Sequence, residues 1–586
     1  MIVTEYTPQE SAVDNDDKEI QEASRCDIGN QEKNVDDANR GCKNLSSDDI
    51  DGDEIEGDDT EVGDTDAGDE IEYLENSEFS SDDENDEISE SSEKDHSFKA
   101  NLYDGSSIST STSWYAMMHF AIANRLTYKA MNDLITLIKA HCPATPNGCP
   151  KSFYQFKKYF ESLKEHDKFS YPFTRLKDEV TIKDIHDGST IQQLMSADGF
   201  LSVQENTGLA LCSDGVPVFK SSKGSLWPIY LMVTSIPPQK RMKVDNLIIA
   251  ALWHGPTKPN MDLILEFVLN SVASLETTGV AYSSNVVLRA KLLMAVFDLP
   301  AKSSATNTKQ FNGEFGCLYC VEKGEICNKA RIYRPNMSEL RNHIRMKEWA
   351  ELATSTGEPH YGVKGNCILS NYLEIPECIP IDYMHSTLEG VFKQLMRQWF
   401  DQKHHSQPFS LRKYVRDIDK LVLSIKPANE IQRFPRSLDS LSFFKASEYR
   451  AWLLIYALPV LSNFLPPEYV HHLSLLVASF HILLSDEIRR DELELVHQML
   501  ATFYQLSGEL YSLNMYTANM HSLIHTVPFV QIWGPLWGYS MFGFENLNGY
   551  LGKTYHGTRR ILFQMSFQIQ LLQTVPKKLE SLSKLE

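Results

Sequence analysis

The stretch VFDLPAKSSATNTKQFNGEFGCLYC, residues 296–320, limits this chain more than any other. An apolar run, LLMAVFD, ends in Asp298, and a Cys-x-x-Cys pair, Cys317 and Cys320, follows close behind. A carboxylate at the end of a strand can hold a metal near solvent. A thiol pair at this spacing holds a different metal, for structure. Together they point to a carboxylate reaction centre stapled by zinc, with the remaining ligands supplied from elsewhere in the chain.

The flanking pattern gives a scaffold for such a centre. GLALCSDGVPVF, SLWPIYLMVTSI and NLIIAALWHG are short β-rich runs separated by Gly, Pro and charged turns, which predicts an antiparallel meander. NMDLILEFVLNSVASLE has apolar residues at helical spacing, NVVLRAKLLMAVFD returns to a strand, and PAKSSATN opens another helix. This β-β-β-α-β-α order is the RNase H-like order. The expected class is α+β, with the first part of an RNase H-like core over residues 198–320. Residues 321–530 read as a large, almost wholly helical insertion that includes YRAWLLIYALPVLSNF as one long segment. Residues 531–586 read as the C-terminal helices of the core. Ahead of it, 101–165 forms a small helical domain with helices in SISTSTSWYAMMHFAIANRL, YKAMNDLITLIKAHC and SFYQFKKYFESLKEH. Cys142 and Cys149 read as structural thiols.

Charge is divided along the chain. The formal net charge is −23, yet residues 1–100 hold 35 acidic and 7 basic side chains, so the rest carries a small positive excess. That leader has too few apolar residues to offset the entropy of ordering, so a disordered acidic tail over 1–100 is expected. It reads either as a solubilising leader or as an electrostatic mimic of nucleic acid that competes for the basic body. MIVTEYTPQESAVDND has neither the basic region nor the apolar core of a signal peptide. AWLLIYALPVLSNFL is too short for a membrane span and contains proline, so no membrane association is expected. The ten cysteines show no secreted disulfide framework, which suits a reducing compartment, cytosol or nucleus.

Three acids could complete the centre: Asp214 in LCSDGVPVF, Asp298 in VFDLPA and Glu545 in FGFENLNGYL. Such a set can hold two Mg2+ ions for phosphoryl transfer. Taken singly, each has an ordinary reading: a turn for Asp214, a helix N-cap for Asp298, a solvated charge for Glu545. Their joint position on the β-β-β-α-β scaffold raises the functional reading. ANMHSLIHTV adds His521 and His525 at i, i+4, on one helix face. With Cys317 and Cys320 they make up a closed tetrahedral structural zinc site. Free thiols or a redox pair, and helix-surface or capping histidines, are the alternatives. A zinc there would join the two ends of the insertion and set Glu545 beside Asp298.

The strings SDGVPVFKSSKGSLWPI, FDLPAKSS, EFGCLYC, IDYMHSTLEGVFK, NMHSLIH and WGPLWGYSMFGFENLNGYLGKTYHGTR resemble the CACTA (En/Spm) group of transposases. More distantly, they are similar to the catalytic core of the V(D)J recombinase. The resemblance spans about residues 180–560. It implies a DDE transposase of the nucleus, acting on transposon ends and target DNA with Mg2+ or Mn2+, and working as a homodimer. It gives Asp214, Asp298 and Glu545 the metal-ligand roles, and Cys317, Cys320, His521 and His525 the zinc. It also singles out Asp382 and His385 in an Asp-x-x-His string. These read as a capping acid with a satisfied core histidine, as accessories near the active site that steer DNA or an attacking water, or, third, as ligands of a shared metal. The chain departs from the family in having no cysteine over 165–195, where a zinc-ribbon segment is often found. This leaves a second reading, a domesticated, non-catalytic DNA-binding regulator.

Two basic clusters read either as ordinary solvated residues or as contacts that neutralise phosphates. Lys302 and Lys309, with Lys323, Lys329, Arg331 and Arg334, flank the thiol pair. Lys553, His556, Arg559 and Arg560 follow Glu545 at near-helical spacing.

Overall fold

The structure, a computed structural model, describes residues 2–5, 101–123, 128–142, 170–217, 224–283, 286–336, 338–427, 433–555 and 561–574, with the single residues 126 and 150. The strands in chain order are β1 (Ile2–Glu5), β2 (Thr181–Ile182), β3 (Asn206–Ser213), β4 (Val216–Pro217), β5 (Ser225–Val233), β6 (Leu247–Gly255), β7 (Val280–Ser283), β8 (Val286–Val296), β9 (Glu325–Cys327), β10 (Ala330–Ile332) and β11 (Ile488–Arg489).

The main sheet runs β1-β6-β5-β3-β8-β7, with β4 also paired to β5. The expected meander is present: β3 pairs antiparallel with β5, and β5 with β6. β8 returns on the other side of β3 and runs parallel to it. β3 is thus flanked on both edges, and all eight of its residues are buried. The crossover from β6 towards β8 contains helix Met261–Thr277, whose start is capped by the Asn260 side chain accepting from the Asp262 amide. Its buried residues Met261, Ile264, Leu265, Val268, Leu269 and Val272 form one stripe at helical spacing, and it packs on β8. The architecture is α+β.

Three expectations need correction. Ile2–Glu5, within the span expected to be an acidic tail, forms a strand parallel to β6, with Ile2 opposite Ala251. Ile2, Val3 and Thr4 precede the acidic run, and β-branched residues suit an edge strand. The remaining tail, 6–100, lies outside the described residues, as does the helix expected over SFYQFKKYFESLKEH. Second, the span 321–530 is not wholly helical. β9 and β10 form a hairpin whose turn residues, Asn328 and Lys329, both have positive φ. Lysine seldom takes that conformation, so the turn carries no Asn-Gly signal. Third, YRAWLLIYALPVLSNF is not one regular helix. Ala446–Ala451 widens into a π-helical turn at Trp452–Tyr456 before Ala457–Leu461. Pro459 has no amide hydrogen, and its ring crowds the carbonyl one turn back, which favours the irregularity. The residues of the insertion share their core with the rest of the chain. One continuous cluster of buried residues runs from Ile182 to Ile569, and β11 pairs with β2.

A buried ion pair locks this junction. Arg241 donates Nη1 and Nη2 to the two carboxylate oxygens of Asp184 at 2.8 and 2.9 Å and Nε to the Ile236 carbonyl at 2.9 Å. Burial would raise the Asp184 pKa, but the Arg241 charge and hydrogen bonds from His186 and Arg241 hold it well below the usual carboxylate range. Gly534, at φ +82°, passes close enough that a Cβ would lie 2.5 Å from the Asp184 carbonyl oxygen. Arg241→Met leaves a buried unpaired carboxylate and is expected to cost about 3–5 kcal/mol at pH 7, read by chemical denaturation. Because the native Asp184 pKa is depressed, its contribution is full above the unfolded value near 4 and falls as pH drops through the native value. The gap between wild type and variant should therefore narrow below about pH 4.

Among the described residues no helix is long and apolar enough to cross a membrane.

Candidate active site and metal centre

Adjacent strand ends place the first two acids. Cys212 on β3 is paired with Val296 on β8, in parallel register. Asp214 and Asp298 each lie two residues further on, so they leave neighbouring strands at the same edge, where strands are about 4.8 Å apart. Asp298 also caps helix Leu299–Ala305, its Oδ1 accepting from the Ala301 amide at 2.7 Å. The N-cap reading and the site reading are therefore compatible.

Glu545 arrives on helix Phe542–Leu551, which the sheet holds through Phe544 and Asn548. Phe544 stacks on Tyr230 of β5, and the Tyr230 hydroxyl donates to Asn548 Oδ1 at 2.5 Å. With Phe544, Leu547 and Leu551 buried, Glu545 turns towards Asp214. Carboxylate oxygens of Asp214 and Glu545 and a ring nitrogen of His385 lie within 4.8 Å of one another. Burial, a hydrogen bond with Glu545 and the charges of Asp298 and Glu545 push Asp214 up to about 8, against the opposing charge of His385. Acids this close resist joint ionisation, and a divalent cation is a group that relieves such repulsion.

The Asp-x-x-His string braces this cluster. Asp382 is buried and accepts three hydrogen bonds: from the Met541 amide on Oδ1, and from the amide and Nδ1 of His385 on Oδ2, each at 2.9 Å. It joins the π-helical segment Met384–Phe392 to the start of the Glu545 helix. With Nδ1 committed to Asp382, His385 turns Nε2 towards Glu545 Oε1, 3.9 Å away. Burial alone would lower the His385 pKa. The hydrogen bond and charge of Asp382, with the charges of Asp214 and Asp298, instead raise it to about 9. Asp382 is thus a capping acid and a positioning residue together, and His385 belongs to the acid cluster.

Cys317, Cys320, His521 and His525 converge in a second centre with geometry compatible with zinc. Cys320 Sγ is 3.2 Å from His521 Nε2, Cys317 Sγ 3.7 Å from His525 Nε2, and the two Nε2 atoms are 3.3 Å apart. Zinc–ligand lengths in a tetrahedron imply S–N separations of about 3.5 Å and N–N separations of about 3.3 Å. The protonation state also fits. The Tyr504 hydroxyl donates to the Tyr333 carbonyl, so it accepts from His521 Nδ1, 3.2 Å away. His521 Nε2 is left with its lone pair facing the thiols, as a metal ligand requires. Neither tyrosine was singled out by the sequence, where nothing relates them to the histidines. Burial would raise the Cys317 thiol, but Cys320 and the two imidazoles bring it well below its ordinary value. One cavity, lined by Asp298, Lys302, Cys317, Asp382, His385 and His521, joins the two centres.

The expected DNA-binding side chains are placed unevenly. Lys302 is 7% exposed, and its Nζ donates to the Tyr319 hydroxyl at 2.8 Å, so it is not a phosphate contact. It lies on the inward face of helix Leu299–Ala305, between Ala301 and Ser303, which are also buried. Lys309 is half-buried in the shared cavity, and Lys553 is exposed. Within the first cluster, Lys323 pairs with Glu314 and Arg334 with Glu325. His556, Arg559 and Arg560 lie outside the described residues.

Residues 182–347 match a family model described as Transposase family tnp2, which supports a transposase-related function. The matched span contains Asp214, Asp298, Cys317 and Cys320; Asp382, His385, His521, His525 and Glu545 lie beyond it. No curated protein compared with the chain matches it.

Proposed function

We propose that the chain is a DDE transposase of the CACTA (En/Spm) kind, with an RNase H-like core, that cuts transposon-end DNA and joins it to target DNA in the nucleus. The observation that carries this reading is the meeting of Asp214, Glu545 and His385 at the strand edge that also bears Asp298. Asp214, Asp298 and Glu545 are the residues that would hold Mg2+ or Mn2+. When bound, the ions would activate a water or a 3′-hydroxyl for attack on phosphorus and stabilise the leaving oxygen. The protein sets the geometry: two parallel strand ends fix the aspartates, Tyr230 and Asn548 fix the Glu545 helix, and Asp382 fixes His385. A protonated His385 adds a positive charge beside the acids, where a scissile phosphate would lie. In the first step water attacks the phosphodiester and a 3′-hydroxyl leaves. In the second, that hydroxyl attacks target DNA and displaces the target's own 3′ oxygen. Cutting two ends together requires two copies of the chain. The Cys/His centre would carry zinc and keep the Cys317 loop against the helices that lead to Glu545.

The test is to incubate the full chain with DNA carrying the inverted repeats that flank its coding region, with Mg2+ or Mn2+. Nicking that disappears in Asp298→Ala supports the reading. Sequence-selective binding with no nicking by wild type would favour the non-catalytic regulator.

A further inference from the structure

A broad groove opens from the acid cluster along the helical region, and neither basic cluster expected from the sequence supplies its walls. His385 and Glu545 are among the residues that line it. Phe542, Gly543, Glu545, Asn546 and Gly549, one face of helix Phe542–Leu551, line one side. A Cβ at Gly549 would meet nothing within 4 Å, so that side is open down to the helix backbone. The facing wall comes from the middle of the chain and carries Arg433, Lys445 and Arg450, all exposed. Arg433 reaches Glu448 only at 4.0 Å, while that glutamate is held more closely by Arg436 at 2.6 Å. Glu389, half-buried, is the acid on this wall. Two phenylalanines flank the cations in the chain: Phe434, next to Arg433, is 75% exposed, and Phe443, two residues before Lys445, is 72% exposed. Rings this bare are costly in water and fit a partner that offers flat faces.

We propose that this groove receives an unpaired DNA strand leading into the acid cluster. Arg433, Lys445 and Arg450 meet its phosphates, and the exposed rings of Phe434 and Phe443, beside these cations in the chain though not among the residues that line the groove, are offered to its bases. The inference rests on the transposase reading for its choice of DNA, but its test does not depend on cutting. An acidic protein partner would also bind these cations in a salt-dependent way, but the groove variants would then leave DNA binding unchanged.

The experiment measures anisotropy of a fluorescent single-stranded 30-mer with full-length protein, without divalent ions, over a series of salt concentrations. Lys445→Ala/Arg450→Ala is expected to weaken binding by about tenfold and to reduce the log–log salt slope by about 1.4, the loss of two phosphate contacts. Phe434→Ala/Phe443→Ala is expected to weaken binding by about thirtyfold or more with the slope unchanged. A general folding defect would not give that split. Lys445→Arg/Arg450→Lys, which keeps both charges, should restore the slope. Arg412→Ala/Lys413→Ala, outside the groove, serves as a control of equal charge. Unchanged affinity and slope in the groove variants would overturn the proposal, as would a loss equal to that of the control pair. Equal losses on a blunt duplex of the same sequence would overturn its unpaired-strand element. If the groove variants behave as expected while wild type never nicks DNA, the groove stands and the catalytic reading falls.

Discussion

Glu545→Gln is expected to lower metal-dependent nicking of end-containing DNA by roughly a thousandfold, the several kcal/mol that a metal-held transition state contributes. Adding Asp298→Ala should lower it little further, because groups that act as one unit lose their function together. Folding should be preserved. Glu545 is not what fixes its helix; the Tyr230–Phe544 stack, the Tyr230–Asn548 hydrogen bond and the Asp382 contact to the Met541 amide do that. The amide side chain keeps the size of the carboxylate and removes its charge. If Glu545→Gln kept full activity, the helix would be a structural neighbour of the aspartates and no more. Additive losses in the double variant would mean that Asp298 and Glu545 serve separate steps.

The second large effect concerns the Cys/His centre. Wild type is expected to bind one zinc per chain, and Cys317→Ser to bind almost none. A structural zinc of this ligand type contributes on the order of 10 kcal/mol of apparent binding free energy. Its loss should open the Cys317 loop and the helix Ala518–Ser522 to protease and lower the melting temperature sharply. Tyr504→Phe should act more mildly, by roughly 10–100-fold in zinc affinity, since it removes only the hydroxyl that fixes the His521 tautomer. Full zinc content in Cys317→Ser, by elemental analysis, would remove the staple.

The sheet was readable because its strands are short, β-rich and separated by turn residues, and because β8 ends in a single acid before a proline-led helix. Asp214 and Asp298 could be paired for the same reason: adjacent parallel strands bring equivalent ends together. Glu545 could be tied to them only indirectly, through the zinc staple and the likeness to known transposases, since a lone acid in an amphipathic helix has no local mark. The zinc ligands were better marked, by tight spacing at both ends. Asp382 was ambiguous because its hydrogen bond to His385 is local while its hydrogen bond to Met541 crosses the fold. Lys302 shows the reverse failure. Its position beside Asp298 suggests a phosphate contact, but the face of a short helix that it occupies turns inward, onto Tyr319. Arg433, Lys445 and Arg450 form no cluster by composition, and become one wall only when the helical region folds against the sheet.

The most direct measurement is anomalous diffraction from crystals soaked in Mn2+. The account predicts manganese density among the carboxylates of Asp214, Asp298 and Glu545, within reach of oxygen from all three, and none there in Asp214→Asn/Glu545→Gln crystals. Manganese found only elsewhere, with these three side chains unchanged and unliganded at saturating Mn2+, would contradict it.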